Sequence, residues 1–274
     1  MSARDPRWDP QWIVPDWPVA PAVRALLTTR AGGGSRGPFG AGAGHGGLNL
    51  GLGSGLPQVA ADDPAQVARN RARLAALLPQ APCWLHQVHG AEVVDAGRVP
   101  AGTAPAADGA WTTRPGVVCG VLVADCLPVL LAEAGGRGVA AAHAGWRGLA
   151  AGVLQNTARA LRQGLGDPAA RLLAYLGPAI GPQRFVVGAE VLEQMQARLP
   201  EAPAAFAEQG GGRYLADLYA LARQALAQAQ VDEVHGGGLC TVSDPQRFYS
   251  FRRDRVTGRQ AALIWLDAAQ PAIA

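Results

Sequence analysis

The stretch Gly138–Gly152, GVAAAHAGWRGLAAG, decides how this chain is built. Its first half, GVAAAHA, is a run of small apolar residues that ends near His143, and it reads as a buried strand. Its second half turns through Gly145 and Gly148. From there Leu149, Val153, Leu154, Leu161 and Leu165 recur at helical spacing. Alanines leave room for something other than a side chain, and glycines let the backbone come close to a guest. Arg147 adds fixed positive charge at the same place. The amides of a helix that opens there suit an anion.

Working outward, VRALLTTR (23–30), APCWLHQVHGAEVVDA (81–96), GVVCGVLVADC (116–126), RLLAYLGPAIGP (171–182) and AALIWLDA (261–268) read as strands. Pro128 is expected to prevent simple continuation of the third. Helices are expected over 62–78, where Asp63 precedes Pro64, after Gly148, near 188–199 and over 214–230. Residues 1–22 are rich in Trp and Pro and read as extended chain. Residues 31–55 read as a glycine-rich loop without periodicity, and a loop of that length is usually functional or disordered. There is no internal repeat and no linker. Strands outnumber those of a simple alternating pattern. The expected fold is α+β, a layered sandwich of mixed β-sheets flanked by helices, as one domain over residues 1–274.

Composition narrows the function. The hydrophobic fraction of 49% over 274 residues suits a sizeable core, and no apolar run is long enough to span a bilayer. The opening MSARDPRWDPQWIVPDWP lacks the apolar core of a secretory signal, so a cytoplasmic protein is expected. A net charge of +3 does not argue for nucleic acid or a membrane surface. All 24 basic residues are Arg, which excludes Schiff-base chemistry and a lysine-bearing phosphate loop. Cys83, Cys119, Cys126 and Cys240 are scattered, which is no disulfide framework. A monomer or weak homo-oligomer is expected.

Three features carry chemistry. If WLHQVHG is a strand, His86 and His89 lie on opposite faces and cannot hold one ion together. His89, at the strand end before Gly90, is the better placed. VLVADCLPVLL ends a strand with Asp125 and Cys126, and His143 ends another. His89, Cys126 and His143 would form a His₂Cys set, known for catalytic zinc with a fourth position left open. A single copper is compatible with the same ligands. On spacing alone, two ordinary hydrogen-bonded histidines and a core cysteine remain the alternative. Asp125 and Asp108 are candidate proton relays, with turn formation as the other reading of Asp108. Arg30, Ser35 and Asn49 are candidate phosphate or sugar contacts, and Arg147 a candidate phosphate ligand. Arg252 and Arg253 read as structural ion pairs.

These residues resemble the YfiH family, also called the laccase-domain or polyphenol-oxidase family. The resemblance runs through TTRAGGGSRGPF, LNLG, DDPAQVARNRARL, HQVHG, AADGAWTT, ADCLPVLL, AAHAGWRGLAAGV, LGPAIGP and CTVSDPQRFYSFRRDRVTGRQAALIWL, in that order. It implies a zinc held by His89, Cys126 and His143, one per chain, and a pocket for a purine nucleoside and inorganic phosphate. The implied reactions are phosphorolysis of adenosine, guanosine, inosine and methylthioadenosine, and deamination of adenosine. Three places depart from the family pattern: the insertion GAGAGHGG (40–47), Gln183 where the family often has Cys, and the extra His86. Two rivals remain. One is a single-copper polyphenol oxidase, although five histidines are too few for a multicopper centre. The other is an amidase editing peptidoglycan precursors, with Cys126 as nucleophile and His143 as base.

Overall fold

The structure is a computed structural model that describes residues 5–42, 44–53 and 60–268. Ala43 of the glycine-rich insertion and both ends of the expected 1–274 domain lie outside the described residues. In chain order the strands are β1 (Val23–Leu27), β2 (Ala31–Ser35), β3 (Val93–Asp95), β4 (Gly109–Thr112), β5 (Cys119–Val123), β6 (Leu127–Glu133) and β7 (Val139–Ala144). They continue as β8 (Leu172–Leu176), β9 (Val186–Gly188), β10 (Phe206–Gly210), β11 (Arg213–Ala216), β12 (Glu233–Gly236) and β13 (Gln260–Leu266). The helices are α1 (Pro64–Ala75), α2 (Trp146–Ala151), α3 (Val153–Leu165), α4 (Ala189–Arg198), α5 (Leu218–Gln228) and α6 (Phe251–Asp254).

Period-two alternation builds the layers. The central sheet runs β12-β8-β6-β7-β4-β3 and mixes parallel with antiparallel pairs. On β6 and β7, Leu127, Val129, Leu131, Ala140, Ala142 and Ala144 face a core shared with α3, α4 and α5. The intervening Leu130, Ala132, Val139 and Ala141 face the smaller sheet β1-β13-β5, through Val23, Ala25, Val121, Ile264 and Leu266. The far side of that sheet is covered in turn by Leu74 of α1, by Leu48 and Leu50, and by Trp8 and Trp12 of the extended N-terminal chain. The expected layered α+β sandwich is the observed one.

Several local expectations change. WLHQVHG is not a strand, and only Val93–Asp95 of residues 81–96 is one. Residues 31–35 form a short strand bridged to Gly47 instead of open loop. Pro128 does not stop the chain: it is the second residue of β6, paired with His143. The His143 N–H goes to the Asp108 carbonyl instead, at 2.7 Å, so β7 asks no N–H of the proline at that position. The helix expected after Gly148 begins at Trp146 and breaks at Gly152, whose φ of 89° no side chain adopts readily. A Cβ there would stand 2.3 Å from the Arg198 guanidinium. The small sheet β10-β11-β9 and strand β12 add elements that the pattern did not mark.

Between β5 and β6 the chain leaves the three-stranded sheet and enters the six-stranded one. Residues 124–126 make that crossing, and Asp125 turns it with φ 91°. This step between layers carries Cys126 to a place beside the end of β7.

Candidate metal centre

His89, Cys126 and His143 each offer a ligand atom, and the three lie within 4.8 Å of one another. Cys126 Sγ is 3.9 Å from His89 Nε2, and the imidazole centroids are 4.9 Å apart at 75°. Zinc bonds of about 2.0–2.3 Å would need donors roughly 3.5 Å apart, so small side-chain movements close the set. Gly145 forms the floor. A Cβ there would stand 2.9 Å from Cys126 Sγ and 3.3 Å from His89 Cδ2. The cluster therefore has the donors, spacing and bare backbone that an ion of zinc or copper type requires.

Asp108 organises it from behind. Its carboxylate is fully buried and sits 2.7 Å from His143 Nδ1, which leaves Nε2 for the cluster. The same carboxylate accepts the N–H groups of Val88, His89 and Gly90, at 3.1, 3.0 and 2.7 Å. This holds the loop while His89 keeps a left-handed φ of 59°. One acid thus aims two ligands, as carboxylates behind metal-binding histidines do. Gln87 anchors the loop on the other side, its amide exchanging two 2.8 Å bonds with the Leu122 backbone of β5. Asn156 of α3 adds a bond to the Ala91 carbonyl.

The electrostatics follow from this packing. Burial pushes the Cys126 thiol up, but His143 and His89 outweigh it and bring the thiol to about 6. Burial pushes His143 down, and the Cys126 thiolate with Asp108 carries it to about 9 instead. Burial likewise opposes ionisation of Asp108, yet His143 and the backbone N–H groups hold it below the usual range. The packing favours a Cys126 thiolate, a charged His143 and an ionised Asp108 side by side, and a divalent ion bound there would take the place of the His143 Nε2 proton.

The other sequence candidates fall elsewhere. His86 is exposed, and its backbone N–H is bonded to the Pro105 carbonyl. It does not belong to the cluster, but the reason is the loop held by Asp108 and not strand alternation. Asp125, the candidate proton relay, is engaged at both carboxylate oxygens. Its carboxylate accepts the Thr241 hydroxyl and the Arg252 N–H, both at 2.6 Å. These bonds pin the β5–β6 crossing. Arg30 is engaged within the protein: Nε and Nη2 bind the Gly40 carbonyl, Nη1 binds the Pro245 carbonyl, and the guanidinium lies over Tyr249. Ser35 and Asn49 are buried and both donate to Asp62, at 2.6 and 3.0 Å. Asn70 ties them together, donating to the Ser35 hydroxyl and the Asn49 carbonyl. The candidate sugar contacts Ser35 and Asn49 are thus joined to Asp62 and Asn70 in one hydrogen-bonded network. Arg147 is exposed, with its guanidinium 4.3 Å from the centre of the Trp146 ring. Arg253 pairs with Asp254, as expected, whereas Arg252 binds the Val186 carbonyl.

Sequence reasoning missed the anchoring role of Gln87 and the double role of Asp108. A glutamine beside a histidine motif and an aspartate in AADGAW were visible, but nothing local reported that they meet. A family described as multi-copper polyphenol oxidoreductase laccase matches residues 24–267. The chain belongs to this laccase-domain (YfiH) family. A protein named purine nucleoside phosphorylase from Pseudomonas aeruginosa is 49% identical over 259 residues, covering 93% of this chain and 98% of that one. The purine nucleoside phosphorylase YfiH of Escherichia coli is 46% identical, with 93% and 98% covered. Among solved structures, a Neisseria meningitidis protein matches with TM-score 0.83 and 44% identity, covering 94% of this chain and 100% of the other. YlmD of Geobacillus stearothermophilus matches with TM-score 0.78 and 33% identity, covering 90% and 93%.

Proposed function

We propose that this chain is a zinc-dependent purine nucleoside phosphorylase acting on adenosine, guanosine, inosine and methylthioadenosine, with adenosine deaminase activity. The observation that carries the reading is the convergence of His89, Cys126 and His143 in front of Asp108. The names of the curated relatives support the substrate class.

A zinc held by His89, Cys126 and His143 would supply Lewis acidity. The chain's own residues do the rest. Asp108 keeps the Nδ1 side of His143 engaged, so the imidazole presents Nε2 without rotating. Gly145 keeps the approach to Cys126 clear of side chain. Arg147, exposed and without a carboxylate partner among the described residues, places positive charge at the surface where anions arrive. Deamination would use water in place of phosphate. The HxE…PCxxC signature of zinc cytidine deaminases is absent, so that activity would not follow their scheme.

The test combines metal analysis of native protein with product analysis of the same sample. The expected result is close to one zinc per chain, adenine and ribose 1-phosphate from adenosine with phosphate, and inosine without it. Turnover that depends strictly on copper and consumes oxygen would replace this reading with a one-copper polyphenol oxidase. A cysteine amidase is the second reading. Cys126, His143 and Asp108 stand in nucleophile, base and orienting order, with Asp108 at 2.7 Å from the imidazole. Amide hydrolysis by metal-free protein, abolished by thiol alkylation, would favour it.

A further inference from the structure

The segment Phe251–Arg259, FRRDRVTGR, carries four arginines beside the metal centre, and one of them has an acidic partner. Arg253 pairs with Asp254 at 2.7 Å. Arg252, Arg255 and Arg259 have no carboxylate within ion-pair distance among the described residues. Arg259 is the unusual one. It is half-buried, and the loss of water around its guanidinium holds its pKa below the ordinary arginine value. The anionic groups it senses are the Cys126 thiolate and the Asp125 carboxylate. Asp125 already accepts Thr241 and Arg252, so neither oxygen turns to Arg259.

The donors of Arg259 are barely used. Nη1 reaches the carbonyls of its own neighbours, Thr257 at 3.4 Å and Gly258 at 3.0 Å. Nε and Nη2 have no acceptor among the described residues. Two residues earlier, the Thr257 hydroxyl is buried and has no hydrogen-bond partner among the described residues. A half-buried cation without a counter-ion and a buried hydroxyl without a partner are each costly. Arg259, which precedes the Gln260–Val123 pair and lies close enough to feel Cys126, marks a place beside the metal centre for a ligand that is anionic and rich in acceptors. The backbone there is held firmly: the Arg259 N–H donates to Asn49 Oδ1 at 2.9 Å, and the guanidinium rests against Phe251. The Ser35–Asn49–Asn70 network thus supports the Arg259 backbone.

We propose that Arg259 and the Thr257 hydroxyl bind the phosphate that cleaves the nucleoside, an assignment that rests on the phosphorylase reading above. In that reaction a phosphate oxygen bonds to the sugar C1′ as the bond from C1′ to the purine nitrogen breaks. The electron pair leaves with the purine, and the proton of hydrogen phosphate ends on it. A planar fork with two vacant donor positions suits a phosphate dianion, and a lysine would supply charge without the fork. Arg147, exposed and stacked on Trp146, would attract the anion but not grip it.

The experiment compares zinc-loaded wild type with Arg259→Ala, Arg259→Lys, Thr257→Val and Arg147→Ala. It measures zinc content, the KM for phosphate, the KM for nucleoside, and calorimetric titration with inorganic phosphate alone. Loss of charge-assisted bonds at Arg259→Ala should raise the phosphate KM by about 30-fold, with Arg259→Lys intermediate and Thr257→Val raising it about fivefold. Zinc content and nucleoside KM should stay near wild type, and Arg147→Ala should fall short of Arg259→Ala. A phosphate KM unchanged in Arg259→Ala overturns the assignment. So does an equal rise in both KM values, which would make Arg259 a general pocket residue. If Arg259→Ala does not fold, unchanged phosphate KM and phosphate titration in both Arg259→Lys and Thr257→Val overturn it instead. Wild-type protein that cleaves no nucleoside in phosphate overturns the phosphorylase reading itself, and this assignment with it.

Discussion

Two polar clusters of this molecule look alike in sequence and behave oppositely in space. His89, Cys126 and His143 sit on a loop, a crossing between sheets and a strand end. Ser35, Asn49, Asp62 and Asn70 sit around a glycine-rich loop and the start of a helix. In the second cluster the hydrogen-bonding capacity is spent internally: the Asn70 amide alone donates to Ser35, Gly47 and Asn49 and accepts from Gly34. In the first, Asp108 occupies the rear of His143 and the loop below His89, and the three donor atoms are left facing one another. Polar groups satisfied within the protein hold the fold. Polar groups aimed at a common point with capacity to spare are available to a guest.

The largest expected effect comes from removing a donor. His143→Ala or Cys126→Ala should strip the metal and lower nucleoside cleavage on the order of a thousandfold, because a Lewis acid is worth several kcal/mol. Metal analysis and product assays check this, and folded variants with full metal content would dissolve the contrast between the clusters. Asp108→Asn comes next. It leaves the ligands in place but weakens their aim, and metal affinity should fall roughly 10- to 100-fold. Competition with a coloured chelator reads the change. An unaltered affinity would mean that the ligand loop does not depend on Asp108.

Asn70→Ala tests the other cluster. It should cost about 3 kcal/mol of stability by orphaning several buried partners, with the metal site intact. Denaturant unfolding alongside metal analysis separates the two. A metal-free but stable variant would reverse the comparison. A smaller effect is expected at Glu133, remote from both clusters. Burial raises its carboxyl, but the Arg137 side chain and the Arg137 and Gly135 N–H groups more than reverse this and hold it below the usual glutamate range. A lowered folded pKa means stability present at neutral pH and lost as pH falls through that value. Glu133→Gln should therefore cost about 1 kcal/mol at pH 7 and progressively less below pH about 4. Thermal unfolding across that range checks the sign. His86→Ala stands last, with no change expected in metal content. Metal loss there would put His86 in place of His89.

Part of this was legible residue by residue. The alternation of β6 and β7, the leucine spacing of α3 and the aspartate cap of α1 appear in the chain as periodicity and local chemistry. His89 was selected over His86 for the wrong reason. The strand-face argument failed because Asp108 bends residues 88–90 into a loop and pays for the left-handed turn at His89 with three hydrogen bonds. Pro128 misled because a proline looks like a strand stop until the direction of the His143 N–H is known. Arg30, Ser35 and Asn49 were read as ligand contacts because a polar residue on a glycine-rich loop carries no sign that its partners lie elsewhere in the fold.

By itself the sequence determined the layers and the chemical kinds. Apolar alternation decides which strand faces share a core, and His, Cys and Arg limit which ions and anions can be held. Tertiary structure alone decided which of those groups are free to act. Arg30 is spent on a carbonyl 215 residues away, Asp125 on a hydroxyl 116 residues away, and the Asn49 oxygen on an N–H 210 residues away. Each polar group has few bonding directions, and a partner so distant in the chain leaves no trace in the pattern around it. Only the packed layers show that both oxygens of Asp125 are engaged and that Nε and Nη2 of Arg259 have no acceptor among the described residues.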